Sequence, residues 1–257
     1  MTQHPPLLFV HGAFAGAWCW QEHFLPFFQN HGYDCCALDF RGHGVDAQWC
    51  CLQMLGIADY LEDLVGAVEQ CQAPPILIAH SMGGFVAQQL LQTQPIDLAG
   101  LVLISPASPE THLGSALQLL CNDPLLCHKF QLVSLLPAEV WPCVITPDEA
   151  RRLMLSDASS LETAERSLSE MQRESVLAMM DMFWPVSYDP PDLPCPALVL
   201  GGADDVIVPP EFIHRTADWL GADVQIVPEL GHSMMLEDGW RAGADAISKW
   251  LDGRLGA

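Results

Sequence analysis

The chain has 257 residues, half of them hydrophobic, a length that buries roughly 70 to 75% of the unfolded surface with no need of metals or disulfides for stability. Its formal charge of −22, with only two lysines, Lys129 and Lys249, repels polyanions, which excludes nucleic acid and anionic membrane surfaces as partners. No apolar run approaches the roughly 20 residues of a membrane span, and Met1 to Pro6 carries no basic leader, so a soluble protein is expected.

Ten cysteines, at positions 19, 35, 36, 50, 51, 71, 121, 127, 143 and 195, show no Cys-x-x-Cys spacing. With no His-Glu-x-x-His either, neither a metal site nor any cofactor is expected. Thiols inside apolar segments behave as small hydrophobes and point to a reduced, cytoplasmic protein.

In chain order, Leu7 to Val10 reads as a strand, His11 to Trp18 as a glycine-punctuated loop, and Trp20, Phe24, Phe27 and Phe28 recur at helical spacing. Cys35 to Leu38 is the next strand, followed by Asp39-Phe40-Arg41-Gly42-His43-Gly44; Ile57, Leu61, Leu64, Val65 and Val68 mark a helix face. Ile76 to Ala79 is a buried strand, and Ala87, Leu90 and Leu91 return to helical spacing. This alternation demands a parallel sheet with right-handed crossovers and helices on both faces. Leu101 to Ile104, Ala197 to Leu200 and Val224 to Val227 complete six strands, and Trp240, Ala244, Ile247 and Leu251 share a face of the final helix. Residues 1–108 and 192–257 thus form an α/β core with a mostly parallel six-stranded sheet. Residues 109–191, which show only helical patterning, form a helical cap over the carboxyl edge, where open α/β sheets bind ligands. Arg151, Arg152, Arg166 and Arg173 are expected to pair with Glu149, Glu162, Glu165, Glu170 and Glu174 on a solvated helix face.

Ser81 sits at a strand-to-helix corner within Ala79-His80-Ser81-Met82-Gly83-Gly84. Such a corner crowds the backbone, so the residues two before and two after must be small, as Ala79 and Gly83 are. A serine hydroxyl becomes a nucleophile only when an imidazole takes its proton, and the imidazole needs a carboxylate to hold its tautomer. Asp204-Asp205 follows the fifth strand and His232 the sixth, so serine, acid and base each lie beyond a strand's carboxyl end.

The six-residue run around Ser81 resembles the nucleophile elbow of the α/β-hydrolase superfamily, with Ala79 where glycine is commonest, and the order Ser, Asp, His extends the resemblance over nearly the whole chain. The resemblance implies Ser81 as nucleophile and His232 as base. It implies Asp205 rather than Asp204 as the acid, because Asp205 stands four residues before Pro209. It also implies the backbone amides of Ala13 and Met82 as the oxyanion hole. His11, His43 and His80 read as framework residues. The opening from Val10 to Trp20 is similar to the plant methylesterase and hydroxynitrile lyase group, but Ser233 stands just after His232, where the lyases carry a lysine shortly after the base. The resemblance therefore implies a serine hydrolase, carboxylesterase- or lipase-like, acting on a small-molecule ester with an apolar acyl or alcohol part. Phe14, Met179, Phe183 and Met234 are candidate pocket residues. A thioesterase, amidase, carbon–carbon bond hydrolase or perhydrolase on the same three residues stays open, as does a small-molecule receptor with little turnover. The sequence gives no oligomeric state.

Overall fold

The computed structural model describes residues 4–44, 49–136, 138–184 and 189–255; residues 1–3 of the stretch read above for a leader lie outside them. Strand and helix alternate through β1 (Leu7–Val10), α1 (Trp18–Gln21), α2 (Phe24–Asn30), β2 (Cys35–Leu38), α3 (Trp49–Leu52), α4 (Ile57–Glu69), β3 (Ile76–His80), α5 (Met82–Thr93) and β4 (Gly100–Ile104). Five helices follow: α6 (His112–Asn122), α7 (Pro124–Leu135), α8 (Pro147–Met154), α9 (Leu161–Glu170) and α10 (Val176–Asp181). The chain then returns through β5 (Ala197–Gly202), α11 (Pro210–Leu220), β6 (Asp223–Val227) and α12 (Trp240–Leu255).

The six strands lie in the order β2-β1-β3-β4-β5-β6, and every neighbouring pair is parallel. Both faces of the central strands are covered, which is why they read as continuous apolar runs. Leu8, Val10, Leu77, Ala79, Leu101, Leu103 and Val199 face a core completed by Tyr60 and Leu64 of α4, Phe85 and Leu90 of α5 and Ile213 of α11. The alternate residues Leu7, Phe9, Ile76, Ile78, Val102, Ile104 and Leu198 face Trp20, Phe24 and Phe28 on one side of the chain and Ala244, Ile247 and Leu251 of α12 on the other. The strand order turns back between β1 and β3, and that switch point is where the loops after two adjacent strands part to leave a crevice.

Four of the five α-helices between β4 and β5 start on side-chain caps: Asp123, Thr146, Ser160 and Ser175, before α7 to α10, each accept from the amide three residues on. They share an apolar cluster of their own, with Leu119, Leu126, Val133, Trp141 and Leu153 around Phe14 of the loop after β1. The arginines there pair differently from the expectation. Arg151 meets Asp148 and Asp157, Arg152 meets Asp123, and Arg166 reaches Glu22. Glu149 is taken by Lys129 and Glu174 is buried against His43, because tertiary packing brings distant partners closer than helical neighbours.

His11 directly follows β1 and has no exposed surface; its Nδ1–H donates to the Gly12 carbonyl at 2.8 Å and its Nε2 accepts from the Phe40 amide at 3.2 Å. One nitrogen must donate and the other accept, so the ring is neutral. Burial, with nearby His43, pushes its pKa down to about 4, and burial also lowers His80. An unfolded imidazole protonates below about 6.5, so between that pH and about 4 the unfolded chain binds more protons and stability falls. His11 alone accounts for about 3 kcal/mol over this range. His43, raised by Glu174 against its own desolvation, works in the opposite sense, with a contribution present below about 6.5 and lost as pH rises through its folded value. Burial also lowers His23 and His112, and four lowered histidines outweigh one raised, so urea unfolding is expected to show lower stability at pH 4.5 than at pH 7.5, with a shallower slope in His11→Gln. Equal or greater stability at pH 4.5 contradicts a neutral, buried His11.

Candidate active site

Ser81 stands between β3 and α5 at φ +50° and ψ −117°, a conformation that side chains rarely adopt. Three neighbouring segments hold it there: its amide donates to the Ile104 carbonyl of β4 at 3.0 Å, and its carbonyl accepts from Phe85 of α5 and Ala107 of the loop after β4, each at 3.1 Å. The corner is tight enough that a Cβ on Gly83 would lie 2.4 Å from the His11 carbonyl oxygen, and one on Gly12 would lie 2.9 Å from the Cβ of Ser81. Ala79 is fully buried beside Val10 in the strand register. The demand for small residues around Ser81 is thus a contact between two loops as much as between strand and helix.

The Oγ of Ser81 is 3.0 Å from Nε2 of His232, and Nδ1 of His232 is 2.9 Å from Oδ2 of Asp205. Asp205 is nearly fully buried, and its other oxygen accepts from the amides of Ile207 and Val208 at 2.9 and 2.8 Å. A carboxylate so supplied with donors orients the Nδ1–H of His232 and leaves Nε2 to accept the serine proton. Asp204 is exposed, and its amide closes the turn onto the Leu230 carbonyl. His80 donates from Nε2 to the carbonyl of His232 at 3.0 Å, tying the end of β3 to the loop that carries the imidazole.

Glu237 fixes the same loop from the other side. It has no exposed surface and accepts from the Gly231 amide, from the Ser156 amide at 2.9 Å, and from the hydroxyls of Ser156 and Ser159. The Ser233 amide adds a bond to the Met154 carbonyl at 2.7 Å. Glu237 belongs to no motif in the sequence; its signal is a carboxylate directly after the buried run Met234-Met235-Leu236.

Ser81 and His232 open onto a cavity of about 560 Å³, which Ala13, Met82, Phe14, Met179 and Phe183 also line. The amides of Ala13 and Met82 are not engaged by any other described residue. Met234 does not line it, which corrects the expectation. The 3-10 turn Met234–Leu236 sends its side chain inward, fully buried, to pack with Leu230 and Ala244 behind the site. A larger open cleft of about 1110 Å³ runs along β2 and α4, lined by acids such as Asp34, Glu62 and Asp63, away from Ser81. Among the described residues no group of three or more His, Cys, Asp or Glu is placed to hold a metal ion, and no helix is long and apolar enough to cross a membrane.

A strained serine at the β3–α5 corner, hydrogen-bonded to an imidazole from the loop after β6 that is itself held by a carboxylate from the loop after β5, defines a class of α/β enzyme. The sequence profile of the alpha/beta hydrolase family matches residues 7–246, and the chain belongs to that family. Among curated proteins it is 26% identical over 252 residues to a Mycobacterium tuberculosis protein that carries the name non-heme bromoperoxidase BpoC, covering 88% of this chain and 86% of that one. It is 31% identical over 102 residues to Methyl jasmonate esterase 1 of Vitis vinifera, 39% of this chain and 38% of the relative. Among solved structures, a thermophilic esterase from Thermogutta terrifontis superposes with a TM-score of 0.73 at 23% identity, over 98% of this chain and 90% of that one, which shows the shared fold.

The packing at the corner makes Gly83→Ala costly, since the new methyl must displace the His11 carbonyl. Its unfolding free energy in urea is expected to fall by about 1 to 3 kcal/mol. Unchanged stability contradicts the close approach.

Proposed function

We propose that the protein is a cofactor-independent serine esterase acting on a small carboxylic ester with an apolar acyl or alcohol part. The observation that carries this reading is the line of hydrogen bonds Ser81–His232–Asp205, 3.0 and 2.9 Å long, at the floor of an apolar cavity. In this reading His232 takes the Ser81 proton as Oγ attacks the ester carbonyl, and Asp205 stabilises the imidazolium that forms. The amides of Ala13 and Met82 receive the developing oxyanion, His232 hands the proton to the leaving alcohol, and water releases the acyl-enzyme by the same steps.

The substrate class follows from the walls. Leu119, Met179, Met182 and Ile207 line the interior, and Leu113, Leu117, Leu120, Leu135 and Met180 line the cavity while remaining exposed, an apolar approach from solvent. The volume lies within the range of about 300 to 1000 Å³ usual for small-molecule sites. Residues 109–191 then act as a cap whose helices supply most of this wall. The esterase names of the Vitis and Thermogutta relatives agree with the reading. Ser233 directly after His232 disfavours cyanohydrin cleavage. A second reading is perhydrolysis, in which hydrogen peroxide replaces water at the acyl-enzyme; the relative named bromoperoxidase, matched over 88% of the chain, favours it.

The test is hydrolysis of p-nitrophenyl esters from acetate to palmitate. Each methylene that reaches the cavity is expected to raise kcat/KM by up to about fourfold, the equivalent of about 0.8 kcal/mol. Ser81→Ala is expected to lose at least about 10⁴-fold in kcat, and Asp205→Asn about 10⁴-fold. Hydrolysis that survives in folded Ser81→Ala overturns the esterase reading. Peracid formation from acetate and hydrogen peroxide, lost in the same variant, measures the second.

A further inference from the structure

Glu174 lies between α9 and α10, almost fully buried, with its carboxylate at a junction of core and cap. Oε1 accepts from the Tyr60 hydroxyl at 2.8 Å and the Ser175 amide at 2.7 Å. Oε2 is 3.1 Å from Nε2 of His43 and accepts from the Phe14 amide at 3.3 Å. Its backbone carbonyl takes a further bond from Gln53 at 2.9 Å. Burial alone pushes the Glu174 carboxyl up, but His43, with the Ser175 and Tyr60 donors, more than reverses this and holds it below its ordinary value. The group at the end of these bonds is therefore a carboxylate, paired and fully supplied with donors.

The unusual member of the set is Phe14. It holds φ +63°, a left-handed conformation that aromatic residues rarely adopt and that persists only when the surroundings impose it. Here both its polar backbone groups are taken by one short stretch of the cap: the amide by Glu174, the carbonyl by the Gln172 amide at 2.8 Å. Gln172 is itself fixed to Gly44, accepting from its amide at 2.9 Å and donating to its carbonyl at 3.2 Å. Phe14 directly follows Ala13, so holding the 13–14 peptide plane fixes one of the two planes that meet at the Ala13 Cα and restricts the directions open to the Ala13 N–H in the other.

We propose that Glu174 is a positioning residue for the oxyanion hole: through the Phe14 amide it holds the strained loop after β1 so that the Ala13 N–H faces the carbonyl attacked by Ser81. This rests on the esterase reading and adds to it that the cap, besides walling the cavity, completes the oxyanion hole. A loop freed from Glu174 relaxes towards negative φ at Phe14 and turns the donor away. The loss falls on the transition state, where charge sits on the oxygen, and not on ground-state binding.

The experiment compares wild type, Glu174→Gln and Glu174→Asp by steady-state kinetics on a p-nitrophenyl ester and by binding of an alkylboronic acid. The boron takes the Ser81 Oγ lone pair, the serine proton passes to His232, and a boron-bound oxygen sits where the oxyanion forms. Glu174→Gln is expected to lower kcat about 10- to 100-fold with KM within twofold. Boronate affinity is expected to fall by a similar factor, and binding of the free alkyl alcohol as competitor to stay unchanged. Where Glu174→Gln does not fold, Glu174→Asp carries the test, since it keeps the charge near His43 but shortens the reach to Phe14. Wild-type kcat and boronate affinity in a folded variant overturn the positioning role. So does a rise in KM that runs parallel to losses of competitor and boronate binding, which marks a collapsed pocket. Failure of the wild type itself to bind boronate through Ser81 overturns the esterase reading instead.

Discussion

The backbone at Ser81 is the constraint on which the rest depends. A serine at φ +50° costs of order 1–3 kcal/mol, and it is held by bonds to Ile104, Phe85 and Ala107 from β4, α5 and the loop beyond β4. The same corner requires Gly83 to lie against the His11 carbonyl and Gly12 against Ser81 itself. The switch in strand order makes β1 and β3 neighbours, so the loop of His11 to Phe14 and the serine share one crevice. Strain, glycine placement and strand order are three views of a single arrangement that exposes one hydroxyl to a cavity.

Around that hydroxyl, buried polar groups do the fixing that loops alone cannot. Glu237 and His80 hold the His232 loop from opposite sides, and Glu174 with His43 and Tyr60 holds the loop after β1. Both carboxylates draw donors from the segment between β4 and β5, Ser156 and Ser159 in one case and Ser175 in the other. The segment is thus tied to both loops that face the serine, while its apolar side chains line the cavity. A dry wall beside fixed donors is the setting in which electrostatic stabilisation of a developing charge is strongest.

Much of this was legible in the sequence because burial on both sheet faces writes the central strands β1, β3, β4 and β5 as apolar runs; the edge strand β2, only partly buried, still matches its expected limits of Cys35 to Leu38, as β1 does Leu7 to Val10. Ser81, Asp205 and His232 could be picked out because each lies beyond the carboxyl end of a strand, and the structure brings the three side chains together. What could not be read depends on distance across the chain. Glu174 looked like one more acid in a charged helix, and nothing local indicates that His43, 131 residues away, is its partner. Proximity to His232 in the sequence points Met234 towards the pocket, yet a 3-10 turn rotates it into the core. Trp20 to Phe28 reads as one helical stretch but divides into α1 and α2, because burying aromatics against the sheet decides the path there more than periodicity does.

The central claim, that Ser81 is a nucleophile activated by His232, is tested most directly by mass spectrometry of the intact protein after reaction with an alkyl fluorophosphonate. Phosphorus forms a bond to the attacking Oγ, fluoride leaves, and the serine proton passes to the base, so the label marks an activated hydroxyl. The account predicts one adduct per chain, located on Ser81 by peptide mapping and lost in folded His232→Ala. A label on another residue, or ester turnover that continues with Ser81 fully labelled, contradicts it.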